Sequence, residues 1–236
     1  MARTACRCHD VRLREVTRRS AVALGLIGLT AFAGIKIKDR VAPLTANAGS
    51  KPSLFQSDGF QYYTVVDKDP EIAPAEYSLR VHGLVEKEIN LSMADLKEMA
   101  RTRLVRDFQC VTGWRVKSVP WEGVLLREIL NAAGVQASAA ALTLTSSDGV
   151  YTESLTLDQG MRSDVMVADA LFNKAITPKH GGPVRLFVGP MYGYKSLKWL
   201  STIEVTKKVE PGYWEVRGYD VDAWVGKSNG RSDLPT

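Results

Sequence analysis

The sequence predicts an α+β fold, mainly β with peripheral helices. Short stretches with strand character recur along the chain, few helical stripes separate them, and hydrophobic residues make up 45% of the 236 positions, enough for a packed core. Phe60 to Val66 is rich in aromatic and β-branched residues and reads as a strand. Tyr77 to Val85 reads as another. Ser92 with Asp95 three residues on has the form of a capping box and predicts a short helix through about Ala100. Leu104, Arg106 and Phe108 alternate with Val105 and Asp107, a strand running into Cys110. Pro120-Trp121 restarts the chain. Leu125, Leu126, Ile129 and Leu130 then give a helical stripe closed by Gly134. Ala141–Thr145, Tyr151–Leu155, Val184–Val188 and Ile203–Val209 complete the expected strands, with Asp148-Gly149 as a turn.

Charge divides the chain in two. Residues 1–48 carry nine bases and three acids, out of totals of 31 and 26. Residues 49–236 are left with 22 and 23, a net charge of −1. The basic character belongs to the leader, which argues against a nucleic-acid partner. Thr17-Arg18-Arg19-Ser20 precedes an uncharged apolar stretch from Ala21 to Ile35, the pattern of a twin-arginine export signal. Cleavage is expected after Ala33 or Ala48, each of which ends an A-x-A. Retention as a membrane anchor is the alternative. The expected organisation is a leader and linker at 1–48 and one exported domain at 49–236.

Of three cysteines, Cys6 and Cys8 lie in the leader and Cys110 stands alone in the domain. A lone thiol in an oxidising compartment is a liability unless buried or bound. No G-x-G-x-x-G, Walker loop, C-x-x-C or H-E-x-x-H is present, which argues against dinucleotide, P-loop and zinc chemistry. The three histidines are His9, His82 and His180. A papain-like pairing of Cys110 with His180 stays open on these residues, as does a non-catalytic binding module.

Two segments carry the chemistry: FQCVTGWRVKSVPWEGVLLREIL at 108–130 and HGGPVRLFVGPMYGYKSLKWLSTIEV at 180–205. Their order and spacing resemble the molybdopterin-binding oxidoreductases that include sulfite oxidase, plant nitrate reductase and the periplasmic methionine-sulfoxide reductase catalytic subunit. The resemblance runs over residues 58–220 and is nearest in architecture to that reductase. It implies the sulfite-oxidase-type fold, without the C-terminal immunoglobulin-like dimerisation domain, and a monomer. It implies one molybdenum held by a molybdopterin, with Cys110 as the protein's sulfur ligand; a thiolate is a soft donor suited to a redox metal. It implies cofactor contacts from His180, Arg185, Ser196, Leu197 and Lys198, with Ser146, Gln61 and Tyr62 as further contacts. It implies Tyr151 near the metal and Arg115 in an anion pocket. The reaction implied is two-electron oxygen-atom transfer, with an external carrier such as a membrane or soluble cytochrome.

Two departures bear on the substrate. After the cysteine this chain reads Val-Thr-Gly-Trp-Arg, where sulfite oxidases carry paired arginine and asparagine, and residues 58–66 contain no arginine. A dianion would find fewer cationic partners. Reduction of a sulfoxide or related S/N-oxide is therefore expected ahead of sulfite oxidation.

Overall fold

The computed structural model describes residues 59–236. The leader, its twin arginines, both cleavage positions and the lead-in through residue 58 lie outside the described residues. No helix among those described is long and apolar enough to cross a membrane.

The strands are β1 (Ser78–Gly83), β2 (Ile89–Ser92), β3 (Arg101–Gln109), β4 (Arg115–Leu125), β5 (Ala141–Ser146), β6 (Thr152–Thr156), β7 (Val165–Leu171), β8 (Lys174–Ala175), β9 (Arg185–Val188) and β10 (Leu200–Thr206). The helices are short: α1 (Met93–Glu98), α2 (Leu126–Ala133) and α3 (Leu157–Gly160). This is the mainly β architecture with few helices that the sequence predicts.

One sheet runs β2-β1-β10-β5-β6, with β1 and β10 parallel and the other pairs antiparallel. The second runs β3-β4-β7-β8, and β9 also pairs with β7. Leu79 and Val81 of β1, Leu142 and Leu144 of β5, and Ile203 and Val205 of β10 build the first core with α2. A second, aromatic core gathers Phe60, Phe108, Trp121 and Phe187.

Several elements follow directly from local chemistry. Ser92 accepts the Asp95 backbone N–H, and the Asp95 carboxylate accepts the Ser92 N–H at 2.8 Å, closing the capping box of α1. In α2, Leu126, Ile129, Leu130 and Ala133 form one buried stripe, and Gly134 ends the helix at φ +70°. Helix α1 stops at Glu98, before the expected Ala100.

Three expectations are corrected. Residues 60–66 pair with no strand. Phe60 instead plugs the aromatic core, 5.2 Å from the Phe108 ring centroid and 5.5 Å from that of His180. The last strand ends at Thr206, short of Val209. Pro120 continues β4 where a restart was expected; it sits just beyond the stretch paired with β7, so its missing N–H breaks no bond to that strand.

Two features of this frame place the site. The β3–β4 hairpin turns at Cys110–Trp114, where the Cys110 N–H donates to the Trp114 carbonyl at 2.9 Å. The segment from β9 to β10 crosses between the sheets, bonded by Leu186 N–H to the Leu197 carbonyl and Trp199 N–H to the Gly181 carbonyl.

Candidate cofactor and active site

A cavity of about 250 Å³ lies where the hairpin turn, residues 60–65, the turn after β5 and the crossing segment meet. Cys110, Gln61, Tyr151, His180, Arg185, Ser196, Leu197 and Lys198 line it. All eight are residues that the sequence marks as candidates.

Arg185 opens β9 and is buried. Its guanidinium donates to the carbonyls of His180 at 2.7 Å and Ser196 at 2.6 Å, and stacks on the Phe108 and Trp121 rings at 5.7 and 5.6 Å. Among the described residues no carboxylate pairs with it. Burial pulls it down to about 10, still protonated at neutral pH. A buried cation held by carbonyls alone leaves its charge for an anion.

Lys198 sits over the Tyr62 ring at 4.5 Å and donates to the Tyr63 and Lys179 carbonyls at 2.8 and 2.9 Å. Burial, then repulsion from Arg185, lowers it to about 7. Gly181 lets Lys198 approach: a Cβ there would stand 2.7 Å from the Lys198 side chain, and its φ is +96°. The Ser196 hydroxyl accepts the Val188 N–H at 3.0 Å, so it fastens β9.

Asp148 reads from the sequence only as a turn residue. Its Oδ1 accepts the Val150 and Tyr151 backbone N–H groups, each at 2.8 Å. Its Oδ2 is buried without a hydrogen-bond partner, and the residue lines the cavity. The Asp-Gly pair signals a turn; which carboxylate oxygen the turn leaves over is visible only in three dimensions. Ser146, expected on the cofactor, does not line the cavity; its hydroxyl accepts the Asp148 N–H at 3.2 Å. Tyr62 is likewise off the lining and hydrogen-bonds Asp69.

The Cys110 sulfur lies 3.2 Å from the Thr112 hydroxyl, and burial pushes its thiol up. The Tyr151 hydroxyl donates to the Tyr194 carbonyl at 2.8 Å, and burial keeps it well above the usual tyrosine range. Arg115, expected in an anion pocket, is not among the residues that line this cavity. Its Nε donates to Gln109 at 2.5 Å, and its other nitrogens reach Asp107 and the carbonyls of Leu234 and Pro235. Gln109 and Arg115 are register partners across the hairpin, whereas Cys110 lies in the turn beyond them. The rest of the wall is aromatic: Phe60, Tyr63, Phe108, Trp114, Trp214 and Tyr219.

The model for the oxidoreductase molybdopterin binding domain matches residues 66–214. The chain belongs to this family. It is a molybdopterin-binding oxidoreductase, an enzyme, and the match spans Cys110, Asp148, Tyr151 and the crossing segment. It is 36% identical to the uncharacterized oxidoreductase YuiH of Bacillus subtilis over 78% of this chain and 89% of that one. It is 30% identical to the protein-methionine-sulfoxide reductase catalytic subunit MsrP of Campylobacter jejuni, over 59% of this chain and 52% of that one. The chain thus spans about half the length of that reductase subunit. The sulfane dehydrogenase SoxCD from Paracoccus pantotrophus shares the fold, with a TM-score of 0.56 and 24% identity over 60% of this chain and 41% of that one.

The residues present fit a molybdopterin. Its phosphate end requires cationic donors, and Arg185 and Lys198 face the cavity with no carboxylate partner among the described residues. Its polar ring requires an acceptor, and Asp148 Oδ2 is one without a partner.

Proposed function

We propose that this enzyme reduces a sulfoxide or related S/N-oxide by two-electron oxygen-atom transfer, with Cys110 the sulfur ligand of one molybdenum. The observation that carries the reading is the sharing of one cavity by Cys110, the cations Arg185 and Lys198, and the partnerless Asp148 oxygen. When bound, the molybdenum–pterin group would supply the two-electron redox couple for the transfer.

The chain's own residues divide the remaining work. Asp148 Oδ2 receives ring N–H donors. Arg185, Lys198 and His180 hold the phosphate end. The Tyr151 hydroxyl stays protonated and donates its one hydrogen to the Tyr194 carbonyl, which fixes the phenol at the cavity wall. Phe60, Phe108 and Trp114 exclude water. In balance, one sulfoxide, two protons and two electrons give one sulfide and one water, and an external carrier such as a cytochrome delivers the electrons.

Two features favour a neutral sulfoxide over sulfite. The wall beside Cys110 is largely aromatic, and Arg115 is engaged by Gln109 and Asp107. The leader's charge pattern supports export. The test is to express the chain with its leader in a host that makes the pterin, and to measure molybdenum and pterin per chain. Sulfoxides and sulfite are then compared with dye carriers. Wild type is expected to hold about one molybdenum and Cys110→Ala to lose it. Unchanged loading with lost activity would instead favour a cysteine nucleophile, and a wild-type protein free of both metal and pterin would favour a binding module.

A further inference from the structure

Behind the cavity wall, three ionisable side chains meet in the interior. Lys195 Nζ lies 2.7 Å from Glu153 Oε2, contacts Glu215 Oε1, and donates to the Ser154 carbonyl at 2.8 Å. The Lys195 and Glu153 side chains have no solvent exposure, and neither has that of Glu215. Glu215 Oε2 accepts the Gly212 N–H, whereas Glu153 Oε1 is buried with no hydrogen-bond partner. The chemistry assigned to the cavity uses none of the three.

Their positions in the chain show what they join. Lys195 ends the 3-10 turn Gly193–Lys195, between the lining residues Tyr194 and Ser196. Glu153 lies in β6, two residues after Tyr151. Glu215 follows Trp214, another lining residue. One ammonium thus ties together the segments that carry Tyr151, Tyr194 to Lys198, and Trp214.

The charge count is unequal. One cation faces two carboxylates in a dry interior, where an uncompensated charge is expensive. Glu153 faces Lys195 and Glu215 from the two turns, with Tyr151 and Tyr194 in electrostatic range, and Leu144 of β5 opposite it. We propose that Lys195, Glu153 and Glu215 form a positioning cluster that sets Tyr151 and the crossing segment against the cofactor, and that the cluster is closed while Glu153 holds a proton. The proposal rests on reading the cavity as the cofactor site.

Burial raises the Glu153 carboxyl from the ordinary 4.5 to about 8, outweighing the opposing pull of Lys195. The sign follows. A carboxyl whose folded value is raised binds a proton in the folded state that the unfolded chain has already lost. Its contribution to stability is full below about 4.5, falls as pH rises and is gone above about 8.

The experiment uses the full-length holoprotein as wild type, Glu153→Gln, Lys195→Met and Lys195→Arg. Thermal midpoints are read from pH 5 to 9, pterin per chain by fluorescence after denaturation, and kcat and KM for a sulfoxide with a dye donor. Gln mimics the protonated carboxyl. Glu153→Gln should therefore keep wild-type pterin, abolish the part of the midpoint's fall that Glu153 causes, and flatten the alkaline limb of kcat. Lys195→Met should lower kcat by roughly a hundredfold with a smaller change in KM, and Lys195→Arg should recover most of it. Should Lys195→Met not fold, the Glu153→Gln comparison decides alone. Identical pH slopes in wild type and Glu153→Gln would overturn the proposal. Absence of pterin from wild type would instead overturn the cofactor reading, while the midpoint slopes would still decide for or against the cluster by themselves.

Discussion

Replacing Asp148 by Asn should separate cofactor binding from folding. The two residues have the same shape, and an Asn oxygen at the Oδ1 position still accepts the Val150 and Tyr151 N–H groups, each now at 2.8 Å. What changes is Oδ2, buried with no partner on a residue that lines the cavity, which becomes an NH2 donor. With no ligand bound, the change exchanges one partnerless buried polar atom for another and alters stability by less than about 1 kcal/mol. The apoprotein midpoint should therefore move by no more than roughly 2–4 °C. With the pterin bound the effect is large. Hydrogen bonds to a charged acceptor are worth about 1.5–3 kcal/mol, and donors left facing donors add about 1–3 kcal/mol. Together these weaken the pterin by roughly a hundredfold to ten-thousandfold. Apoprotein from a host lacking the pterin would be melted, and protein from a competent host assayed for pterin after denaturation. Full pterin loading in Asp148→Asn would refute the reasoning. So would an apoprotein midpoint lower by roughly 10 °C or more, since Asp148 would then be a folding residue.

Gly181→Ala should do the reverse and damage the apoprotein itself. Its Cβ would stand 2.7 Å from the Lys198 side chain and 2.9 Å from its Cα, at a φ of +96°. A loss of about 2 kcal/mol or more is expected, read as a midpoint lower by roughly 5 °C. Arg115→Ala should leave the KM values for sulfoxide and sulfite unchanged while loosening residues 231–236, because its partners are Gln109, Asp107 and the Leu234 and Pro235 carbonyls. Limited proteolysis and steady-state kinetics check this; a tenfold rise in the sulfite KM would return Arg115 to the pocket. Lys198→Met should remove a pH dependence of apoprotein stability. The Lys198 value is depressed to about 7, so its stability contribution grows as pH rises from about 7 toward 10.5, and the two midpoint curves should diverge there.

Local chemistry is legible wherever a residue acts on its neighbours in the chain. The Ser92–Asp95 box, the α2 stripe and the Gly134 cap are each complete within a short run of residues, and each is where the sequence places it. Strand β7 escapes a reading by pattern because Val165–Leu171 is buried almost throughout and paired on both sides, so it has no alternation to read. Residues 60–66 mislead because aromatic rings suit a strand and a plug equally well; Phe60 is held by rings from β3, β4 and the turn before β9, none of them near it in sequence. The family resemblance brings Cys110, His180, Arg185 and Lys198 to one cavity. It says nothing of the partners of Arg115, because Gln109, Asp107 and the Leu234 and Pro235 carbonyls are supplied only by the hairpin register and the chain's last residues.

The unsatisfied groups in this fold concentrate around the site. Side-chain polar atoms buried without a hydrogen bond are few in folded proteins. Of the four found among the described residues, Asp148 Oδ2 and Trp114 Nε1 belong to residues lining the cavity, and Glu153 Oε1 belongs to the cluster behind it. Arg185 adds a buried cation held by carbonyls alone. Evolution tolerates such groups where a ligand completes them. The apoprotein therefore carries the desolvation cost of an acceptor and a cation that a pterin phosphate and ring would both relieve, which makes cofactor binding a direct contribution to the stability of the folded state.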